Sequence, residues 1–348
     1  MKALRTTTAA FSSFLKPSST FSLAAAFQHH KIAHVPRISL TSSKQNTFRF
    51  MTTASNDTPS SSSSSTPPPP PPPKFDAEMA HLYQRVAENH YHENGPWNLM
   101  LKAFQDSNSQ LEEQDPSFRL LDLASGHGEP CTLFAKTYPN AHLISTDFSN
   151  DMVELAKERT QHLSNVSVEQ ADMQDLRFES NSFDVITCSY GFMFPPDKDK
   201  AVAEAYRVLK PGGVLIATTW NQLPLMALVG DIMTKVLKLD QRPPPPPLNP
   251  MSLSEPHLFE SMLEQGGFEL ITSTTSSYPF VLASDHDFSF KMVTMLIKDK
   301  LNELNEWDTA RDAYNSLISH YAFVDANGNT VIDDNVFKLT VAKKPIMM

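Results

Sequence analysis

The sequence has few cysteines and no long apolar run, and each absence removes a class of protein. Two cysteines occur among 348 residues, Cys131 and Cys188, so we expect neither a disulfide framework nor a zinc site. No other group of side chains has a recognisable metal-ligand spacing, and we expect no metal. No stretch approaches the roughly 20 apolar residues that a membrane span needs, so we expect no integral membrane segment.

Acidic residues are absent before Asp57, although seven lysines and arginines precede it. Because the whole chain carries −10 and residues 1–56 carry +7, the remainder carries −17. A basic, Ser/Thr-rich segment without acids is typical of an organelle transit peptide, which we predict at 1–56, with the mitochondrion preferred to the plastid. The serines and prolines of 57–73 predict a low-complexity linker. The folded domain is then expected at 74–348, and its acidity argues against a nucleic-acid partner.

The hydrophobic pattern of the folded part alternates between helical and strand periods. Two helices are predicted between residues 75 and 104. Strands follow, separated by helices, at 119–124, 142–147, 166–170, 183–189 and 214–219. This alternation predicts an α/β domain with a parallel sheet between two helical layers. After it we predict a lid or insertion at about 221–310, which contains a helix, a strand at 268–272 and lid helices at 285–304. A hairpin at 327–329 completes the pattern.

Small residues occupy the turn after the first strand, where Gly126 and Gly128 admit a ligand close to the backbone. Asp147 follows 19 residues after Gly128, the spacing at which a carboxylate accepts hydrogen bonds from ribose hydroxyls. Together these features predict an adenosyl ligand. A nicotinamide dinucleotide fits less well, because Cys131 stands where its fingerprint has a small residue and Glu129 would face a pyrophosphate. A cationic ligand without phosphate is the better match.

Four segments in order, DLASGHGEP, STDFS, EQADMQDLRFESNSFDVI and EAYRVLKPGG, resemble the consecutive motifs of class I S-adenosylmethionine (SAM)-dependent methyltransferases. The match spans residues 120–220, and the core motifs also resemble those of quinone-biosynthesis methyltransferases. The resemblance implies a Rossmann-like α/β fold: a doubly wound, mostly parallel seven-stranded sheet with an antiparallel C-terminal hairpin and a helical lid. It also implies SAM as the cofactor.

By the same resemblance, particular residues would hold each part of SAM. Asp122 and the turn of Ala124, Ser125, Gly126 and Gly128 would bind its amino-acid end. Asp147 would bind the ribose, Phe148, Asp172 and Met173 would contact the adenine, and Ser189 and Tyr190 would border the methyl donor. The chain departs from the family pattern at Ala124, where a glycine is usual, and at His127, where threonine is common.

The acceptor is expected to be a small soluble molecule, and no catalytic residue is assigned. The preferred hypothesis is S-methylation of a methylthio hydroxy acid of the 4-methylthio-2-hydroxybutyrate type, as in dimethylsulfoniopropionate synthesis. Its carboxylate would need a cation such as Arg311 or Lys291. One alternative is C- or O-methylation of a quinone or phenol, with His90 or His92 as candidate bases. Another is a non-catalytic methyltransferase-like assembly factor. The loops after strands four and five are expected to add pocket residues, namely Phe192, Met193 and Trp220.

Overall fold

The computed structural model describes residues 77–114, 116–246 and 248–346, all of which belong to the compact unit Pro68–Met348. The predicted transit peptide at 1–56 and the predicted linker at 57–73 lie outside the described residues. Within the described part of the chain, no helix combines the length and the apolar character needed to cross a membrane.

Two helices precede the sheet, as the sequence predicts. Helix α1 spans Ala77–Ala87, a 3-10 turn follows at Glu88–Tyr91, and α2 spans Pro96–Gln114. Proline suits the first turn of α2 because the amide hydrogen that it lacks would have no partner in the helix. The break between the helices is tight: a Cβ at Gly95 would lie 2.4 Å from the carbonyl oxygen of His90.

The strands form one twisted sheet of the predicted doubly wound type. Their bounds are β1 Arg119–Leu123, β2 His142–Asp147, β3 Val166–Gln170, β4 Phe183–Ser189, β5 Leu209–Gln222, β6 Glu269–Ala283, β7 Phe323–Val324 and β8 Thr330–Lys343. The order is β3-β2-β1-β4-β5-β8-β6, and the short β7 pairs with β8. Neighbours among the first five strands run parallel, whereas β8 is antiparallel to β5, β6 and β7. The expected mostly parallel sheet with antiparallel C-terminal strands is therefore confirmed.

Helices complete the crossovers and the cover of the sheet. They are α3 Cys131–Thr137, α4 Asn150–Thr160, α5 Lys198–Val208, α6 Pro224–Val236, α7 Leu258–Gln265, α8 His286–Thr294, α9 Lys298–Leu304 and α10 Trp307–Leu317. Some of these helices begin at a side chain that caps the first turn. Ser149 accepts from the amide of Met152 in α4, and Asp197 accepts from the amide of Lys200 in α5. Such caps satisfy amides that the first turn leaves without partners.

The segment predicted as a lid or insertion at about 221–310 has a sheet strand in its middle. Strand β6 continues to Ala283, well beyond the predicted end at residue 272. Much of β6 is only partly buried, so its run of serines and threonines does not show the apolar alternation of a typical strand. The helical parts of this segment are α6, α7, α8, α9 and the start of α10, and α7 and α8 pack against the strand.

Candidate cofactor and acceptor site

A cavity of about 820 Å³ lies at the carboxyl ends of β1, β2, β4 and β5. Residues just after these strands form its floor, and Tyr83 and Val86 from α1 line it as well. Open α/β sheets bind ligands at this edge, and the volume is within the range of about 300–1,000 Å³ usual for small-molecule sites. The cavity therefore has the position and the size of a site for a cofactor with its acceptor.

Asp147, at the end of β2, holds the glycine turn and lines the cavity at the same time. Its Oδ2 accepts from the amide of Gly126 at 2.9 Å, and its Oδ1 accepts from the amide of Ser149 at 2.8 Å. Burial raises the pKa of Asp147, while these backbone donors oppose the shift. Each carboxylate oxygen keeps further acceptor capacity, which suits the two hydroxyls of a ribose.

Asp122 lies behind the same turn and does not line the cavity. Its carboxylate is fully buried and accepts from Ser125 Oγ at 2.5 Å, Thr187 Oγ1 at 2.7 Å and the amide of Cys131 at 3.1 Å. Burial raises the pKa of Asp122 to about 7, against the effect of these three donors. The side chain therefore ties β1, the turn and β4 together.

Of the residues predicted to contact the amino-acid end of SAM, some line the cavity and others do not. Ser125 and Gly128 also do not line the cavity, whereas Ala124 and Gly126 do. Gly128 instead suits the conformation of the turn, because its φ of 100° is one that residues with a Cβ rarely adopt.

The floor of the cavity has a compact backbone in which two residues other than glycine take left-handed conformations. Ala124 after β1 has φ 51°, and Tyr190 after β4 has φ 56°. Such conformations cost energy in residues with a Cβ and are often found at ligand sites. Next to them, a Cβ at Gly191 would lie 2.5 Å from Cys188 Sγ and 2.7 Å from Ala124 Cβ. Glycine at position 191 therefore lets the ends of β1 and β4 come together.

The predicted adenine contacts lie together along one wall. Phe148, Asp172 and Met173 all line the cavity, and Phe148 is 53% exposed. The carboxylate of Asp172 accepts from the amide of Gln174 at 2.9 Å and from its side-chain Nε2 at 3.0 Å. The lining therefore contains a fixed carboxylate and an exposed aromatic ring, two groups that suit a purine with an exocyclic amine.

His90 also lines the cavity, in a cluster of aromatic rings. It is 2% exposed, and its Nδ1 lies 2.7 Å from the hydroxyl of Tyr278. That hydroxyl is 3.1 Å from the hydroxyl of Tyr190, whose ring stacks on Trp220 at 4.1 Å with an interplanar angle of 3°. Burial lowers the pKa of His90 to about 3, and the nearby His127 adds to this shift. His90 is therefore neutral at physiological pH.

Several residues of the cavity lining are absent from the sequence predictions. They are Phe280 from β6, Leu223, Leu225 and Met226 after β5, and Met292, Met295 and Leu296 from α8 and the turn after it. The apolar residues Tyr278, Phe280 and Leu282 alternate along the chain, a pattern that predicts a strand reaching beyond residue 272. In the structure all three are buried, whereas Val281 between them is exposed.

Some predicted acceptor residues lie elsewhere, although Trp220 lines the cavity as expected. Phe192 packs on Phe259 in the core at 5.3 Å between ring centres, and Met193 is also buried outside the cavity lining. His92 does not line the cavity either, and its Nδ1 accepts from the amide of Asn94 at 3.1 Å.

The cations proposed for a carboxylate acceptor are not at the cavity. Arg311 pairs with Asp287 at 2.6 Å and stacks over Phe290, while Lys291 is exposed. Among the described residues that line the cavity there is no lysine or arginine, whereas Asp147, Asp151 and Asp172 are present. One part of the cavity is thus acidic, and the remainder is mainly apolar and aromatic. This combination favours a cationic cofactor and an uncharged partner.

Comparisons with known proteins agree with this geometry. Residues 114–267 match a family model described as a methyltransferase domain. Over 105 residues the chain is 36% identical to the demethylmenaquinone methyltransferase of Staphylococcus aureus strain JH9, covering 30% of this chain and 44% of that protein. The chain thus spans less than half the length of the curated relatives it matches.

Two solved structures are similar at low identity. The YcgJ protein of Bacillus subtilis is 20% identical with a TM-score of 0.47, covering 73% of this chain and 99% of that one. The Haemonchus contortus phosphoethanolamine N-methyltransferase 2, solved with phosphomonomethylethanolamine and S-adenosylhomocysteine, is 19% identical with a TM-score of 0.47, covering 78% and 58%.

The fold and site define a doubly wound domain with a nucleoside-binding edge, in which a glycine turn and two carboxylates surround the cofactor position. Residues 114–267 are similar to a methyltransferase domain, and the site at their strand ends fits SAM as the cofactor.

Proposed function

We propose that the protein transfers a methyl group from SAM to an uncharged, largely apolar acceptor, of which a quinol or another phenol is the preferred class. The observation that carries this proposal is the lining of the cavity. Its acceptor wall consists of aromatic and aliphatic side chains, and no lysine or arginine is among the described lining residues. An anionic acceptor, such as a carboxylate, would lose its hydration there without gaining a cationic partner.

The donor end of the cavity fits SAM without a phosphate-binding element. Asp147 would hold the ribose hydroxyls, Asp172 and the Met173 backbone would hold the adenine, and the turn at Gly126 would contact the amino-acid end. SAM supplies an electrophilic methyl group, which the acceptor's nucleophilic atom takes up as the carbon–sulfur bond breaks and its electron pair stays on sulfur. The residues of this chain position the acceptor in line with that bond and exclude water.

The methylthio hydroxy acid hypothesis receives less support from the geometry than the quinol or phenol alternative. Such an acceptor carries a carboxylate, and the cations once expected to bind it are Arg311, engaged with Asp287, and Lys291, which is exposed. A planar phenol, by contrast, would pack against the stacked pair of Tyr190 and Trp220. The demethylmenaquinone methyltransferase relative points in the same direction.

The test is a methyl-transfer screen on purified residues 68–348 with SAM labelled in its methyl group. Separate reactions would contain quinols, simple phenols, 4-methylthio-2-hydroxybutyrate and amines, and calorimetry would measure SAM binding in parallel. We expect labelling of a quinol or phenol. Labelling of the thioether acid alone would contradict the proposed acceptor class. Tight SAM binding with no labelled product would favour a non-catalytic, methyltransferase-like role, and absence of SAM binding would overturn the proposal.

A further inference from the structure

Two residues of the cavity lining, His90 and Tyr190, carry polar groups that the hydroxyl of Tyr278 joins, although Tyr278 itself does not line the cavity. The three groups form a continuous chain, in which Nδ1 of His90 and the Tyr278 hydroxyl are 2.7 Å apart and the two hydroxyls are 3.1 Å apart. All three side chains are at least 95% buried. Buried polar groups are retained only where they have partners, so the polar atoms at the ends of this chain call for explanation.

The backbone around His90 is held in place by its neighbour Asn89. The Asn89 side chain accepts from the amide of Val281 at 3.0 Å and donates to its carbonyl oxygen at 3.2 Å. The side-chain Nδ2 of Asn89 also donates to the carbonyl oxygen of Val86 at 2.9 Å. The turn that carries His90 is therefore attached to β6, the strand that carries Tyr278. His90 and Tyr278, which are 188 positions apart in the chain, are thus held against each other.

The hydrogen bonds suggest which nitrogen of His90 carries its proton. If Tyr190 donates to Tyr278 and Tyr278 donates to His90 Nδ1, the neutral imidazole has its hydrogen on Nε2. Burial raises the pKa of both Tyr190 and Tyr278 well above the usual value, so both hydroxyls keep their hydrogens and are able to donate.

We infer that His90 binds the acceptor as a hydrogen-bond donor, through Nε2–H to an oxygen on a planar ring, and that Tyr278 is the positioning residue that selects this tautomer. The inference rests on the proposed function and deepens it, because it assigns an oxygen substituent to the acceptor. His90 lines the cavity, and its Nδ1 is engaged with Tyr278. Nε2 is thus the polar atom that the side chain offers to a bound molecule. In this tautomer the ring cannot take a proton at Nε2, so His90 orients the acceptor and does not act as its base.

The experiment compares two ring ligands that differ by one oxygen, 2-naphthol and naphthalene. Equilibrium dialysis against residues 68–348, saturated with S-adenosylhomocysteine, measures both affinities. We expect the wild type to prefer 2-naphthol by about tenfold, the usual effect of one hydrogen bond. His90→Met, which has no donor, should lose this preference. His90→Gln, whose amide provides an N–H donor in a side chain of similar length, should keep most of it.

A second variant tests the role of Tyr278 without changing the size of the ring. Tyr278→Phe removes the hydroxyl that selects the tautomer, so we expect a reduced preference for 2-naphthol. The imidazole 15N signals of His90 should change from the Nε2–H pattern to a mixture of tautomers. A structural role alone would not produce this spectroscopic change. His92→Gln is the matched control, because His92 is close in sequence and does not line the cavity.

The outcomes separate this inference from the proposed function. Equal binding of the two rings, absence of binding by both, or an unchanged preference in His90→Met would overturn the inference while SAM binding and methyl transfer remain intact. A wild-type spectrum with the hydrogen on Nδ1 would also overturn it. Loss of SAM binding in the wild type would instead contradict the proposed function.

Discussion

The donor and acceptor ends of the cavity are assembled in different ways. Asp147 ends β2, while Gly126 and Asp172 lie within three residues of the ends of β1 and β3, and backbone amides hold both carboxylates in place. The acceptor end consists of residues from distant segments: His90 before the sheet, Trp220 near the end of β5 and Phe280 on β6. Their rings pack on one another, and a side-chain hydrogen bond holds His90. The donor end therefore depends on the local backbone, whereas the acceptor end depends on contacts between distant segments.

This difference explains why changes at the two ends should have separate effects. A donor residue bound to backbone amides can be replaced with a local loss of cofactor contacts. An acceptor residue contributes to a shared aromatic core, where each side chain also supports its neighbours. Variants that affect one end alone are the clearest tests of the comparison.

The largest expected effect is the loss of SAM binding in Asp147→Ala. The change removes the carboxylate expected to accept from both ribose hydroxyls, so we expect affinity to fall by about a hundredfold or more. Calorimetry measures the affinity, and circular dichroism should show an intact fold. Asp147→Asn is the control, with a smaller loss because its amide oxygen still accepts. Unchanged affinity in Asp147→Ala would refute the assignment.

A cation placed at the acceptor end should affect the acceptor alone. Met295 lines the cavity and is half-buried, so Met295→Lys would bring a charge to an apolar wall. We expect 2-naphthol to bind about tenfold more weakly, because the ammonium must be desolvated, and SAM affinity to stay the same. Met295→Gln provides a polar but uncharged comparison. Equal losses of SAM and 2-naphthol would show that the two ends are not independent.

The neutral state of His90 predicts a pH effect on stability. Its pKa is about 3 in the folded protein and near 6.5 when unfolded, so between these values the unfolded chain binds a proton that the folded protein does not. The free energy of unfolding should therefore fall as pH decreases from 6.5 towards 3.

The slope due to His90 should be at most about 1.4 kcal/mol per pH unit. Denaturant titrations at several pH values would measure it as the difference between wild type and His90→Gln. His127 titrates in the same direction and Asp122 in the opposite one, but both are present in the two proteins. Parallel curves for the two proteins would mean that His90 is protonated in the fold.

The smallest expected effect is a gain in stability for Ala124→Gly at the donor end. Ala124 has φ 51°, a conformation that costs about 1–2 kcal/mol in a residue with a Cβ. Part of the gain is offset because glycine is more flexible in the unfolded chain. We therefore expect the free energy of unfolding to rise by at most about 1 kcal/mol. Thermal denaturation would measure it. Gly328→Ala is the reverse case, since Gly328 has φ 81° and open space around it. We expect Gly328→Ala to lower the free energy of unfolding by a similar amount.

The donor end could be predicted from the sequence because its signals are local. The spacing of the glycine turn and Asp147, and the apolar runs of β1 and β4, follow from the geometry of one βα unit. The resemblance implies Asp122 as a cofactor contact, but the motif does not say which way its side chain faces. In the structure three buried donors hold the Asp122 carboxylate, which does not line the cavity.

The acceptor end could not be predicted in the same way. Phe192, Met193 and Arg311 were chosen by their proximity to strand ends or by their charge, yet they lie in the core or in an exposed ion pair. Tyr278 and Phe280 carry no motif, and their strand is rich in serine and threonine. Both side chains contact His90 only because β6 pairs with β8 and because the Asn89 side chain is hydrogen-bonded to Val281.

The sequence by itself determined the sheet, its cofactor edge and the class of ligand, because strand periodicity and glycine turns are encoded over short stretches of chain. Only the tertiary structure decided which side chains face the acceptor, which carboxylate holds the turn, and that no lysine or arginine lies among the described lining residues. The physical reason is that packing and desolvation depend on neighbours far apart in the chain, and these neighbours are set by the fold as a whole.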